Sequence, residues 1–209
     1  MKVLVTGCKG QLGYDVSKEL TKRGDTAVAV DFEEMDITDK EAVDNYISNA
    51  NINAVIHCAA YTAVDAAEDN VELCRRINRD GAQNIADVCQ KFDIKMLYIS
   101  TDYVFNGEGE HFWQPDDKRA PLNAYGQSKF EGELAVENTL DKFFIVRISW
   151  LFGLNGKNFV RTMLNFGKTH DKLTVVADQI GSPTYTVDLA KLLVDMNTSP
   201  EIEHCGRAN

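Results

Sequence analysis

A tyrosine and a lysine four residues apart, Tyr125-Gly126-Gln127-Ser128-Lys129, suit acid–base work if the segment is helical. The i,i+4 spacing sets both side chains on one helix face. Hydride addition to a ketone leaves a developing alkoxide that needs a proton, and a phenol can donate it. The ordinary phenol pKa of about 10 limits exchange near neutrality. An ammonium one helical turn away stabilises the phenolate and relieves that limit. The spacing alone is weak, because it recurs in Tyr14-Asp15-Val16-Ser17-Lys18. Position separates the two. Tyr125 follows an apolar run that ends in Ser100, Thr101 and Asp102. In open α/β sheets ligands bind beyond the carboxyl ends of strands, so a Thr101 hydroxyl can face the same carbonyl as Tyr125. Tyr14 lies in the helix opened by a glycine loop and is read as structural.

That loop is Gly7-Cys8-Lys9-Gly10-Gln11-Leu12-Gly13, between the first apolar run and the first helical segment. Glycines there allow a tight turn, close approach of backbone to pyrophosphate, and close helix–strand packing. The following helix N-terminus offers unpaired amides and a positive dipole end to phosphates. Asp31 ends the second run at about the spacing where an acid meets an adenine ribose 2′-hydroxyl. A carboxylate there repels a 2′-phosphate, which leans the coenzyme toward NADH over NADPH. Lys9 offsets part of that repulsion, and Asp31 also reads as a plain solvated strand-end acid.

The elements that must hold these residues alternate. Apolar runs at Val3–Thr6, Ala27–Val30, Ala54–His57, Met96–Ser100, Phe144–Ile148 and Leu173–Val176 are separated by helical segments such as Gln11–Lys22 and Asp39–Ala50. Continuous apolar runs mark strands covered by helices on both faces, so the pattern predicts an α/β fold with a doubly wound, Rossmann-like parallel sheet. Thr38-Asp39-Lys40-Glu41 reads as a capping box with Thr38 as cap, and Gly24 as a left-handed terminator of the first helix. The irregular stretch Tyr103–Asn123 is long enough to suggest function; its Phe112 and Trp113 read equally as packing anchors. We divide the chain into a dinucleotide-binding part, 1–150, and a partial substrate-binding part, 151–209, that also carries the last sheet elements.

Composition excludes several classes. Among 209 residues, 22 Lys and Arg against 32 Asp and Glu give a net charge of −10, which argues against nucleic-acid and membrane-surface partners. Five scattered cysteines with no C-x-x-C spacing point to a reducing, cytoplasmic setting rather than a disulfide framework or zinc site. No run reaches the ~20 apolar residues of a membrane span.

Taken together, T-G-x-x-G-Q-L-G, A-A-Y-T-A-V-D, I-S-T-D-Y-V-F, Y-G-Q-S-K-x-E-G-E, R-I-S-W-L-F-G and D-Q-I-G-S-P-T resemble the extended short-chain dehydrogenases, most closely the dTDP-4-dehydrorhamnose reductases. The resemblance runs from Met1 to about Asn197. It implies that Gly10, Gln11 and Leu12 line the coenzyme phosphates, with Asp31, Asp36 and Ile37 at the adenosine. Ala60, Tyr61 and Thr62 would run along the coenzyme. It further implies that Thr101 hydrogen-bonds the ketone, Tyr125 donates the proton, and Lys129 holds the ribose and tunes Tyr125. Asp102 and Trp150 would contact the sugar nucleotide, although Trp150 also reads as a core residue at a strand end. The implied partner is a dTDP-sugar and the implied reaction NADPH- or NADH-dependent reduction at its C4. A homodimer and an interfacial Mg²⁺ are implied by the resemblance alone; no metal-ligand spacing supports the ion. Related 4,6-dehydratases place an acidic pair after this threonine, whereas here the order is Thr101-Asp102-Tyr103, which points to reduction.

The family usually continues beyond this chain, whose last strand-like piece is Ile202–Cys205 after a helix at Val187–Met196. Coenzyme binding is therefore expected to survive better than catalysis. Apolar surface near the end is expected to meet a partner or another subunit. Two alternatives stand: a reductase-like binding subunit without turnover, and another sugar-nucleotide epimerase or reductase.

Overall fold

The computed structural model describes residues 1–108, 111–198 and the backbone of 206–208. In order, the elements are β1 (Lys2–Thr6), α1 (Gln11–Lys22), β2 (Thr26–Val30), α2 (Lys40–Ala50), β3 (Ala54–His57), α3 (Val64–Asp69), α4 (Val71–Arg75), a π-helical turn (Arg76–Asp80), α5 (Gly81–Lys91) and β4 (Lys95–Thr101). A 3₁₀ turn (Asp102–Val104) follows, then α6 (Ala124–Thr139), β5 (Phe143–Ile148), β6 (Leu151–Phe152), α7 (Phe159–Phe166), β7 (Thr184–Tyr185), α8 (Thr186–Thr198) and β8 (Gly206–Ala208).

Six strands form one parallel sheet in the order β2-β1-β3-β4-β5-β8. The alternation of strand side chains explains why both faces are apolar. Val3, Val5, Ile56, Leu97 and Ile99 face one layer, packed with Leu12, Val16 and Leu20 of α1 and Leu189, Ala190, Leu193 and Val194 of α8. Leu4, Val55, Met96 and Tyr98 face the other, with Val43 and Ile47 of α2, Ile85 and Cys89 of α5, and Val136 of α6. The chain winds outward from β1 to β2 on one side and through β3, β4 and β5 on the other, so the strand order reverses beside β1. Sheets of this kind open a crevice at that point. The loops after β1 and β3 touch there: a Cβ on Gly7 would lie 2.8 Å from the Ala59 amide nitrogen, and Thr6 Oγ1 accepts that same amide at 3.1 Å.

Several expectations change. The cap of α2 is Asp39, whose carboxylate accepts the amides of Glu41 and Ala42; Thr38 instead donates its hydroxyl to Asp36 at 2.8 Å. Both residues suit a cap, and the one whose backbone is extended at the first turn takes the role. Leu173–Val176 forms no strand; Val175 and Val176 are exposed, because no neighbouring backbone pairs with the run. Phe112 is exposed; of the two aromatics only Trp113 packs, stacking on Phe105 at 4.5 Å. Ile202–Cys205 lies outside the described residues. The first helix spans Gln11–Lys22 as read, ending before Gly24 at φ +86°. The last described helix begins one residue earlier than read and ends two later.

Candidate active site

One cleft of about 1000 Å³ opens along the carboxyl ends of β1 to β5. Its floor is the glycine loop. Gly7 adopts φ +66°, and a Cβ on Gly13 would sit 2.3 Å from the Gly7 carbonyl oxygen, so the loop and α1 approach at a distance only glycine allows. Gly10 caps α1 without a side-chain oxygen, and no acidic residue occupies the first turn. The first amides of that helix therefore keep their donors for a ligand, with the dipole behind them. This cradle fits a dinucleotide pyrophosphate.

Asp31 stands at the β2 end of the cleft with its neighbours. Its carboxylate accepts the Lys9 and Phe32 amides, each at 3.0 Å, which fixes it to the loop. The Lys9 ammonium is drawn outward to Glu33 at 2.5 Å and Glu34 at 3.9 Å. Its expected offset of Asp31 is thus spent on two further carboxylates. Asp36 folds an Asx turn with Thr38. Ile37 is held by Asn84 through its carbonyl at 3.0 Å, and Asp36 and Ile37 line the cleft.

The opposite end carries the Tyr125 and Lys129 pair. Asn123 caps α6 by accepting the Gly126 amide at 2.7 Å. Gly126 itself lets the helix close on the 3₁₀ turn, since a Cβ there would meet the Tyr103 carbonyl oxygen at 2.2 Å. Burial pushes the Tyr125 phenol up to about 12, with a hydrogen bond to Thr101 acting in the opposite direction. Lys129 is 2 % exposed; burial pulls its ammonium down to about 7, opposed by Glu133, Cys58 and Cys74. The ammonium lies over the Tyr98 ring at 4.0 Å. Thr101 also donates to Asp102 at 3.1 Å, and burial raises the Asp102 carboxyl above its ordinary value. Tyr125, Lys129, Thr101 and Asp102 all face this one cleft with the glycine loop.

Trp150 lines the cleft and is 48 % exposed, so it is no core residue. Its backbone is held at φ +46°, and its ring packs so closely on Gly181 that a Cβ there would meet Cε2 at 2.8 Å. That contact explains the glycine of D-Q-I-G-S-P-T. Tyr14 is 43 % exposed beneath the Lys18 ammonium, outside the cleft. Ala60 and Thr62 line the cleft, whereas Tyr61 does not; its backbone is clamped by Asn78 instead.

Asn78 was not singled out in the sequence. It sits in the π turn, a feature that often marks functional sites. Its side chain accepts the Tyr61 amide at 2.8 Å and donates to the Tyr61 carbonyl at 3.0 Å and to Ser128 Oγ at 2.9 Å. It thereby ties the loop after β3 to the residue next to Lys129. The sequence signal is faint: a poor helix former within helical segments, three residues before Gly81. Among the described residues, no group of three or more His, Cys, Asp or Glu gathers as a metal site. No helix among them is long and apolar enough to cross a membrane.

Residues 1–204 match the family model described as RmlD substrate binding domain. The chain is 43 % identical over 196 residues to dTDP-4-dehydrorhamnose reductase of Aggregatibacter actinomycetemcomitans, covering 93 % of this chain and 67 % of that protein. The enzyme of the same name from Mycolicibacterium smegmatis is 38 % identical over 212 residues, 99 % of this chain and 64 % of its own. The crystal structure of dTDP-4-dehydrorhamnose reductase from Bacillus anthracis in complex with NADP superimposes with a TM-score of 0.95 at 40 % identity, over 100 % of this chain and 74 % of that one. The chain spans about two thirds of the length of these two curated relatives.

Proposed function

The chain belongs to the dTDP-4-dehydrorhamnose reductase family, and on that premise we propose that it reduces the C4 ketone of dTDP-4-keto-L-rhamnose with NADH or NADPH. The product is dTDP-L-rhamnose, a precursor of cell-envelope polysaccharide. The observation that carries this reading is the half-buried Tyr125 one helical turn from the buried Lys129, set with Thr101 in the same cleft as the glycine cradle.

When bound, the nicotinamide supplies the hydride. The residues of the chain do the rest. Thr101 turns its single hydroxyl proton from Asp102 to the ketone oxygen and withdraws density from C4. Tyr125, neutral across the physiological range, gives its phenolic proton to that oxygen as the alkoxide develops, so the carbonyl becomes an alcohol and the tyrosine a phenolate. Protonated Lys129 steadies the phenolate until solvent restores its proton. Proton transfer from a positioned side chain contributes roughly 10²–10⁴ in rate. Asp102 and Trp150 hold the sugar nucleotide at the mouth.

Gly7, Gly10, Gln11, Leu12 and Gly13 hold the pyrophosphate, Asp36 and Ile37 bound the adenosine, and Ala60 and Thr62 run beside the nicotinamide end. Residues 1–150 supply the coenzyme site and 151–209 part of the sugar-nucleotide site. Asp31, with Glu33 and Glu34 beside it, makes the 2′ position acidic, so NADH serves at least as well as NADPH.

The test is oxidation of each coenzyme, followed at 340 nm, with enzymatically prepared dTDP-4-keto-L-rhamnose and with Tyr125→Phe in parallel. Turnover by the native chain, cut at least a hundredfold by Tyr125→Phe while coenzyme still binds, is the expected result. Coenzyme binding without turnover of any keto-sugar nucleotide overturns it in favour of a binding subunit. NADPH binding clearly tighter than NADH overturns the coenzyme preference alone.

A further inference from the structure

The glycine loop is held from a second direction. Between β6 and α7 the chain crosses over it, and half-buried Asn155 donates from Nδ2 to the carbonyl oxygens of both Lys9 and Gly10, each at 3.1 Å. Three residues on, Asn158 Nδ2 donates to Gln11 Oε1 at 2.9 Å and to Gly153 O at 2.9 Å. Between them Gly156 turns at φ +72°, and a Cβ on it would lie 2.9 Å from Gln11 Cγ. The segment 153–158 is thus a strap laid on the loop and fastened at its two ends.

What the strap fastens matters. A trans peptide unit is planar, with its C=O and the following N–H pointing in opposite directions. The Gly10 carbonyl accepts the Tyr14 amide of α1 at 3.2 Å as well as Asn155, so the second donor narrows that plane from outside the helix and with it the direction of the Gln11 amide. Three amides of the loop already have partners. Cys8 N donates to Val30 O, Gly10 N to Gly7 O, and Lys9 N to Asp31. Gln11's side-chain oxygen is taken by Asn158. The amides at the start of α1 are what remains for a phosphate, and Asn155 orients the first of them.

We propose that Asn155 is a positioning residue for coenzyme binding, clamping the glycine loop so that the first amides of α1 are preorganised for the pyrophosphate. The inference rests on the reductase reading above. A flexible glycine loop would otherwise lose its freedom only on binding, and preorganisation removes that cost.

The test titrates NADH into the coenzyme-free protein by fluorescence, with Asn155→Ala and the isosteric Asn155→Asp, which removes the donor and keeps the size. Loss of two hydrogen bonds of ordinary strength weakens binding about tenfold. KM for NADH rises in step, kcat at saturating NADH stays within about twofold, and amide exchange at Gln11 and Leu12 accelerates in the coenzyme-free state. A residue serving stability alone would lower the melting midpoint without this split. If both variants bind NADH as tightly as the native chain, the clamp is overturned and the reductase reading stands. If the native chain binds neither NADH nor NADPH, the reductase reading falls and the clamp with it.

Discussion

Lys129 is a charged group kept where charge is expensive. Its ordinary value is 10.5 and burial lowers it to about 7, so between those values the unfolded chain holds a proton that the folded chain has released. Stability from this group therefore rises with pH across about 7 to 10.5, and below 7 the full cost of the buried ammonium is present. Lys129→Met removes that cost. We expect it to raise the melting midpoint at pH 7 and to flatten the climb in midpoint between pH 7 and 9.5 in the coenzyme-free protein. A lower midpoint with an unchanged slope would contradict the burial of the ammonium. Such a cost is what the role proposed for Lys129 entails. Tyr125, Lys129 and Thr101 were legible in the sequence because helical spacing and strand-end position are local facts. Asn78 and Asn155 were not, since each acts through partners 17 to 146 positions away, and only folding brings those together. Tyr61 lies off the cleft for a related reason: membership of the loop after β3 does not decide which of its residues line it.

At the scale of elements, the long loop before α6 is bolted to the sheet by buried charge. Arg147 of β5 makes two bonds of 2.8 Å to Glu133 of α6 and donates to the Pro115 carbonyl at 3.0 Å. Arg119 of the loop reaches Glu133 and Glu137, each at 2.8 Å. Glu133 is fully buried, four residues beyond Lys129 on the same helix. Arg147→Met leaves that carboxylate short of a partner, and breaking a buried pair from one side costs about 3–5 kcal/mol. Urea unfolding should show that loss, and a protease should cut the loop around residues 111–118 sooner. The double variant Arg147→Met/Glu133→Leu recovers much of the stability, whereas equal loss in single and double variants would dismiss the ion pair as the cause. Elements whose period is imposed by burial, such as α1 and β3, were readable to the residue. Leu173–Val176 shows where that reading stops. An apolar run becomes a strand only when a neighbouring backbone pairs with it, and the run alone does not say whether one is there. The α2 cap slipped by one for the same reason: Thr38 and Asp39 are both able caps, and the turn at Asp36 decided between them.

Across the whole molecule, apolar side chains do not end where the two sheet layers end. α7 buries none of its eight residues; Phe159 and Leu164 are more than 60 % exposed, and Val176 and Ile180 of the following segment are exposed as well. Phe159 and Leu164 were not singled out in the sequence, because an amphipathic period predicts that a helix has an apolar face and is silent on whether anything covers it. Patches of this kind on a soluble domain mark interaction surfaces. A net charge of −10 opposes indiscriminate association, so the face should stay accessible at low protein concentration. The native chain should therefore raise the fluorescence of an apolar dye such as ANS well below its unfolding midpoint, without the loss of near-ultraviolet circular dichroism that marks a molten state. Phe159→Ser with Leu164→Ser should remove at least half of that signal and leave NADH affinity unchanged, because neither residue lines the cleft. Dye fluorescence at the level of buffer would mean that the face is covered in solution. A drop in coenzyme affinity in the double variant would instead mean that α7 helps to hold the strap over the glycine loop, since Asn158 both caps α7 and bonds Gln11.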